Sequence, residues 1–345
     1  MAHGTPGTVM LVADVGGTNL NLALLAPEGQ GFRILRKTRF RTQDERSLLE
    51  PIQRFLAEDP TLRPERACLS GAGPVHDRRI RLTHASWEIR GADLEASLGI
   101  PVKVVNDFTA LTAGTLHLDL ADLTRVTPLP HSDGALPLPD PRGVALVVGA
   151  GTGLGVGFGV PCPAGVHVLP SEGGHVSLPV FDEETFGLWR HLAGHPPTPP
   201  SAEMAVSGPG LARIFQFLLH SGRMPMTPRA EGILALPEPE RPAAIAALAE
   251  AEPACLRALD LLIALYARTC ADLCAAFLPT GGLFLAGGLV AKHAARLLEG
   301  PRFMAHFEHT HGPHLDPLLH SLPVFAVKDY DLSLTGAAHA WRMET

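Results

Sequence analysis

Two stretches of this 345-residue chain share one layout, and that repetition constrains the fold more than any other feature. VADVGGTNLNLALL, Val12 to Leu25, is an apolar strand, a glycine–threonine loop and a second apolar strand. VVGAGTGLGVGFGV, Val147 to Val160, follows the same plan. Short apolar runs closed by glycine turns are strands joined by tight connections. Two copies far apart in one chain predict two similar domains facing one another. The length agrees, because 345 residues exceed one ordinary core. The copies differ in charge: Asp14 ends the first strand, and its counterpart is Gly149.

The remaining periodicities extend this pattern. Phe32 to Phe40 reads as a third strand. Glu45 to Ala57 reads as a helix with Leu48, Leu49, Ile52, Phe55 and Leu56 on one face. Strands are expected at Ala67–Ser70, Ile80–Thr83 and Val102–Val105, with a short helix at Ala92–Leu98. Leu118 to Arg142, rich in proline and aspartate, reads as a surface excursion. Strands at Val144–Val148 and Val156–Val160 form the second copy. Helices follow at Glu183–Leu192, Pro209–His220, Arg241–Ala251 and Ala254–Phe277, with Pro196–Pro200 (PPTPP) a stiff connector. Leu283–Ala286 and Val324–Val327 are late strands, followed by helices at Leu289–Leu298 and Ser333–Trp341. Mixed α/β is the class.

Composition excludes several function classes. Hydrophobic residues make up 46% and charged residues 18%, as in a globular protein. The net charge of −7 opposes binding to nucleic acid or an acidic membrane. The opening MAHGTPGTVMLVADVGG has no basic start and no long apolar core, so no secretory signal is expected. Leu259 to Leu278 is apolar but carries Asp260, Arg268 and Asp272, which suits a buried helix better than a membrane span. Cys68, Cys162, Cys255, Cys270 and Cys274 form no CxxC pair. They read as reduced, buried thiols of a cytoplasmic protein. His306, His309, His311 and His314 in HFEHTHGPH read as a polar, partly exposed helix end rather than a metal site.

Three glycine loops follow strands: Gly16-Gly17-Thr18-Asn19, Gly149 to Gly153 with Thr152, and Gly287-Gly288. Such turns let backbone N–H groups approach an anion. The third precedes a helix, whose N-terminus also favours negative charge. None is followed by GK[ST], and none has GxGxxG spacing into a helix, so a dinucleotide enzyme is disfavoured. Asp14 suits a hydrated Mg²⁺ bridging nucleotide phosphates. VVNDFTALTAG, Val104 to Gly114, ends a strand on Asn106-Asp107 and begins a helix. The pair reads either as a helix cap or as a carboxylate parked at a strand end.

Together these motifs resemble the bacterial glucokinase family, in the non-zinc branch of the hexokinase/actin-like sugar kinases. DVGGTN (Asp14 to Asn19) looks like the family's first phosphate motif and GAGTGLG (Gly149 to Gly155) like its second. NDFTA (Asn106 to Ala110) looks like its catalytic segment. EGGH (Glu172 to His175) and SAEMAVSGPGL (Ser201 to Leu211) resemble its sugar-binding segments, and LAGGLV (Leu285 to Val290) its adenosine motif. The resemblance runs from about Val9 to Arg342.

The resemblance implies a two-domain actin/hexokinase-like (ribonuclease H-like) fold, with mixed sheets flanked by helices and a cleft between domains. The small domain would be 1–112 completed by about 330–345, and the large one 113–329. The implied reaction is ATP-dependent phosphorylation of glucose at the 6-hydroxyl, feeding glycolysis. Asp107 would be the general base. Asn106, Asp107, Glu172, His175 and Glu203 would bind the sugar. Ala13, Asp14, Val15, Gly16, Gly17, Thr18, Asn19, Gly149, Gly151, Thr152, Gly153, Gly287 and Gly288 would hold nucleotide and phosphate, with Asp14 on Mg²⁺ through water.

Two departures touch the sugar's details: His84 stands where the family usually has Asn, and Met204 where it often has Arg. No cysteines follow EGGH, so no structural zinc is expected. The first strand begins by Val9, so a leading helix-turn-helix and a repressor role are not expected. Another hexose or amino sugar as substrate, ADP or polyphosphate as donor, and a noncatalytic sugar sensor are the alternatives. A chaperone or filament protein of the actin class would not need EGGH or Glu203. Apolar helices in the second half favour a homodimer.

Overall fold

The computed structural model describes residues 8–82, 85–162, 165–169, 171–194, 198–298, 302–308, 312–329 and 331–343. In chain order the elements begin with β1 (Met10–Val15), β2 (Asn19–Glu28), β3 (Gly31–Arg41), α1 (Leu49–Ala57) and β4 (Arg66–Gly71). β5 (Val75–His76), β6 (Arg79–Arg81), β7 (Glu88–Arg90), α2 (Gly91–Leu98), β8 (Val102–Asn106) and α3 (Asp107–Thr115) follow. Then come β9 (Val126–Pro128), β10 (Ala145–Ala150), β11 (Leu154–Cys162), β12 (Gly165–Leu169), α4 (Glu183–Leu192), α5 (Gly208–His220), α6 (Pro228–Ala235), α7 (Arg241–Ala247) and α8 (Pro253–Phe277). The chain ends with β13 (Gly282–Ala286), α9 (Gly287–Leu298), α10 (Met304–Phe307), α11 (Asp316–His320), β14 (Val324–Val327) and α12 (Leu332–Arg342). Contacts divide the chain into two units: Met1–Asp122 with Gly157–Pro170 and Asp329–Thr345, and Leu123–Val156 with Ser171–Lys328. Relative to the expected boundaries, 113–122 and 157–170 fall in the first unit. Its helix α3 runs on to Thr115, and Val168 packs in its core.

The first unit is built on a sheet of order β3-β2-β1-β4-β8. β1, β4 and β8 are parallel, while β2 and β3 fold back antiparallel. Side chains alternate across a strand. Leu11, Ala13 and Val15 therefore enter one core with Leu48, Ile52 and Phe55. Met10 and Val12 enter another, with Ala110 and Ala113 of α3 and Leu334, Ala337 and Ala338 of α12. The same alternation puts Asp14 on the α3/α12 side. Those two helices approach too closely for side chains. A Cβ on Gly336 would stand 1.9 Å from the Ala110 carbonyl oxygen, and one on Gly114 2.5 Å from that of Leu332. The Lys103 ammonium donates to the Ala340 carbonyl at 2.9 Å, a cation at the C-terminal end of α12.

The second unit centres on parallel β10, β13 and β14, with β9 antiparallel to β14. The long helix α8 is buried along most of its length, from Ala254 to Cys274. Its Tyr266 hydroxyl donates to the Val148 carbonyl at 2.6 Å. Among the described residues no helix is long and apolar enough to cross a membrane. Four of the five thiols are buried; Cys162, the last residue of β11, is exposed.

Helix α1 begins at Leu49 rather than Glu45. Thr42 is tied to the first glycine loop, its hydroxyl donating to Gly16 O at 2.8 Å, and Thr42–Asp44 form a separate turn. Helix α7 stops at Ala247 rather than Ala251 because the chain must turn there to place Glu252 as the cap of α8, with Pro253 as its first residue. Within the expected surface excursion, Val126–Pro128 pairs as an edge strand.

Gly336→Ala should destabilise the protein by about 1–3 kcal/mol, the cost of overpacking a closed contact, with Tm falling by several degrees in thermal unfolding. Gly232→Ala, in α6 with nothing within 4 Å of the added carbon, should hold or raise Tm, since alanine is the better helix former by about 1 kcal/mol.

Candidate active site

Parallel strands deliver their carboxyl ends to one sheet edge, where ligands of α/β folds bind. In the first unit Val15 pairs with Gly71, and Gly71 with Asn106. The loop after Asp14 and the pair Asn106-Asp107 thus leave the same edge, separated by β4, about 10 Å at ordinary strand spacing.

The Asn-Asp pair divides its work. Asn106 is the cap of α3: its Oδ1 accepts from Phe108 N at 2.9 Å and Thr109 N at 3.2 Å. Its Nδ2 donates to Gly73 O at 3.0 Å. Nδ2 carries two hydrogens, so a second donor is left. Asp107 is the first helical residue and half-buried, and its Oδ1 accepts from Phe108 N at 2.8 Å.

Asp14 is half-buried, and Ser333 of α12 donates to its Oδ2 at 2.8 Å. Burial raises its pKa above the ordinary carboxylate range, although hydrogen bonds from Ser333 and Asn21 pull the other way. No cation pairs with it among the described residues. Beyond Asp14 the loop closes on itself, Gly16 N donating to Asn19 O at 2.9 Å, and Thr42 N donates to Thr18 O at 3.1 Å. Ala13 and Val15 are buried strand residues, so any contribution to phosphate comes from their backbone.

In the second unit the other two loops leave adjacent parallel strands, with Gly149 opposite Ala286. Gly287 has φ +90°, and a Cβ there would meet Ala150 O at 2.4 Å. Gly288 has open space around it, at the start of α9. Gly151 N donates to Gly153 O, and Gly208 N to Gly151 O, each at 2.8 Å. Thr152 is exposed at the tip of this loop.

Leu154, the next residue, gathers the sugar-segment candidates. Its N–H donates to Glu203 Oε2 at 2.8 Å. Gly153 makes room for that carboxylate, since a Cβ there would lie 2.4 Å from Oε2. On its other side the Leu154 carbonyl oxygen lies 1.8 Å from where a Gly174 Cβ would be. The EGGH turn therefore packs against β11 only because it has glycines. Ala202 N donates to Val176 O at 2.7 Å, tying the two segments together. Glu172 and His175 remain 75% and 59% exposed, with Oε2 and Nε2 3.8 Å apart.

The structure thus brings Asp14–Asn19 and Asn106–Asp107 to one edge of the first unit. It brings Gly149–Gly153, Gly287–Gly288, Glu172, His175 and Glu203 together in the second. Sequence reasoning missed Ser333, which has no local signal for contact with a residue 319 positions away. Trp87 is half-buried against the first core. His84, His309 and His311 lie outside the described residues.

Residues 11–344 match the glucokinase family. A glucokinase of Nostoc punctiforme is 32% identical over 96% of this chain and 98% of its own. The chain belongs to the glucokinase family. The structure of a glucokinase from an Antarctic psychrotroph matches with TM-score 0.78 and 27% identity, covering 96% of this chain and 98% of that one. A ROK family glucokinase from Streptomyces griseus, in complex with glucose and AMPPNP, shares the fold at TM-score 0.60 and 20% identity over 96% and 98% of the two chains. The expected actin/hexokinase-like class and the assignment as an enzyme, an ATP-dependent glucose kinase, stand with this membership.

Asp14→Asn should leave the fold intact and hold or raise its stability at neutral pH, because the raised pKa means the native state is penalised for carrying the charge. The difference from wild type should shrink as pH falls through the raised pKa of Asp14 and vanish below its unfolded value. Urea unfolding across pH reads this.

Proposed function

We propose that Asp107 takes the proton of the glucose 6-hydroxyl as that oxygen attacks the γ-phosphorus of ATP. The observation that carries this reading is the position of Asp107: first residue of a helix capped by its neighbour, at the sheet edge where the Asp14–Asn19 loop also ends. Phosphoryl transfer has a loose transition state, so positioning and charge neutralisation supply most of the rate. The base need only receive the proton as the new bond forms.

Glu172, His175, Glu203 and the free N–H of Asn106 are the proposed partners of the other sugar hydroxyls. Exposed Glu172 and His175 offer an acceptor and an imidazole to a ligand. Glu203 has one carboxylate oxygen on Leu154 and the other available. Once a bound sugar covers them, polar partners of this kind reject sugars that leave them unpaired. The three glycine loops are the proposed phosphate and nucleotide contacts.

The first loop fits a magnesium site, because Asp14 carries a partly desolvated carboxylate without a cationic partner among the described residues. When bound with ATP, magnesium supplies charge neutralisation at the β- and γ-phosphates. Asp14 would hold it through water, and Ser333 and Asn21 would fix the carboxylate for that purpose.

Cytoplasmic location is part of the proposal, supported by four buried, unpaired thiols. A homodimer is supported by exposed Phe186 on α4 and Phe277 at the end of α8.

Asp107→Asn should lower kcat by about 10²–10⁴, the usual span for a general base, while glucose binding measured by calorimetry stays near wild type. Near-normal turnover would reduce Asp107 to a structural role. A panel of glucose, mannose and glucosamine against ATP, ADP and polyphosphate, read by product formation, tests the substrate and donor. A sugar sensor would bind glucose and release no ADP.

A further inference from the structure

A polar cluster in the second unit takes no part in that reaction. His131, in the loop after β9, has a side chain with 0% exposure. Both its ring nitrogens face oxygen: Nδ1 lies 2.7 Å from Glu308 Oε1, and Nε2 lies 2.9 Å from the Leu322 carbonyl oxygen. A carbonyl oxygen only accepts, so Nε2 must carry a proton. In a neutral imidazole Nδ1 then turns a lone pair toward a carboxylate oxygen. Two lone pairs at 2.7 Å repel. At this spacing a proton lies between them, and a metal ion takes its place only where the pair parts to make room for it.

His320 distinguishes the two. It ends α11, its side chain is 34% exposed, and its ring centroid lies 4.6 Å from that of His131. One ligand atom from each of His131, Glu308 and His320 lies within 4.8 Å of the other two. A proton joins two heavy atoms and has no use for a third. A tetrahedral ion takes three protein ligands and a water. The outer contacts fit as well. The Leu322 carbonyl holds the far side of His131, and Asp133 Oδ1 lies 3.3 Å from His320 Nε2. Carbonyl and carboxylate partners of this kind orient metal-bound imidazoles. Ser132 N donates to Glu308 Oε1 at 3.0 Å, and Ser132 Oγ to Oε2, fixing the carboxylate.

We propose that His131, Glu308 and His320 form a binding site for a divalent ion of the zinc class. Two imidazoles and one carboxylate suit such an ion rather than magnesium or calcium, which take oxygen. Ligand atoms around zinc stand about 3.4 Å apart for bonds of about 2.1 Å. A small swing of His320, partly exposed at a helix end, brings in the third ligand, while His131 Nδ1 and Glu308 Oε1 move apart from 2.7 Å as the ion replaces the proton between them. The ion would fasten the loop after β9 to the segments following α10 and α11, which lead into β14, the partner strand of β9. This is unrelated to the cysteine-based zinc motif that the sequence lacks.

The test is zinc chloride titrated into chelator-treated full-length protein, followed by calorimetry and thermal unfolding, for wild type and His320→Ala. That substitution leaves the buried His131–Glu308 pair in place. Wild type should take up one equivalent more than the variant and gain Tm. The variant should lose roughly a hundredfold or more of the zinc affinity at this site and keep magnesium-dependent glucose phosphorylation. Equal uptake and equal Tm response in the two proteins would overturn the proposal and leave a proton between His131 and Glu308. Cobalt(II) titration of the wild type gives a reading that does not depend on the variant folding. A tetrahedral visible spectrum at one equivalent supports the site, and an unchanged aqueous spectrum overturns it.

Discussion

Much of the first unit depends on one contact, the glycine-lined packing of α3 against α12. With no side chain at Gly114 or Gly336, the two backbones come within reach of each other's carbonyls. That closeness has two chemical consequences. It anchors α3, whose first residue is Asp107, from the side opposite its cap. It also carries the start of α12 to the sheet face where alternation has placed Asp14, so that Ser333 meets that carboxylate. One steric fact thus bears on both Asp14 and Asp107, and neither is positioned by its own loop alone.

The second unit uses glycine in the same way for a different end. Around Leu154, Gly153 admits the Glu203 carboxylate and Gly174 admits the EGGH turn. A backbone N–H and a backbone carbonyl of one residue therefore locate polar side chains of two separate segments, Glu172 and His175 in one and Glu203 in the other. This explains why glycines accompany every motif here. Some are needed for phosphate to approach; others are needed for the protein's own carboxylates to approach its own backbone. Sequence inspection sees the two uses as one signal.

That ambiguity marks the boundary of what was legible. Segments with local causes were read closely. Helix α4 has the expected limits because Asp182 and Thr185 form a capping box, and β14 because four apolar residues sit after a proline. The repeated strand–loop–strand unit is present as β1–β2 and β10–β11, with different charge at Asp14 and Gly149. The short strands β9 and β12 were not legible, since three to five residues carry too little periodicity and their pairing is tertiary. Helix α6 had a cap, Thr227, followed by Pro228, but its eight residues bury only Ala230 and Ile233, too few to show a helical period. Contacts such as Ser333 with Asp14, or Glu308 with His131, join residues 319 and 177 positions apart. The histidine-rich stretch drew attention to its imidazoles. Glu308 within it is the residue that the described structure ties to His131.

The two carboxylates at the first unit's edge show how environment separates roles. Asp14 is desolvated, and two neutral donors offset only part of that cost. Such a group gains most from a divalent cation, because a bound charge of +2 removes the penalty that burial imposes. Asp107 instead stands at a helix N-terminus, where backbone N–H groups and the helix dipole already favour an anion. In the proposed division Asp14 holds the ion and Asp107 accepts from the sugar hydroxyl, and the difference in surroundings agrees with that division. The strand that separates them keeps the two charges from merging into one coupled site.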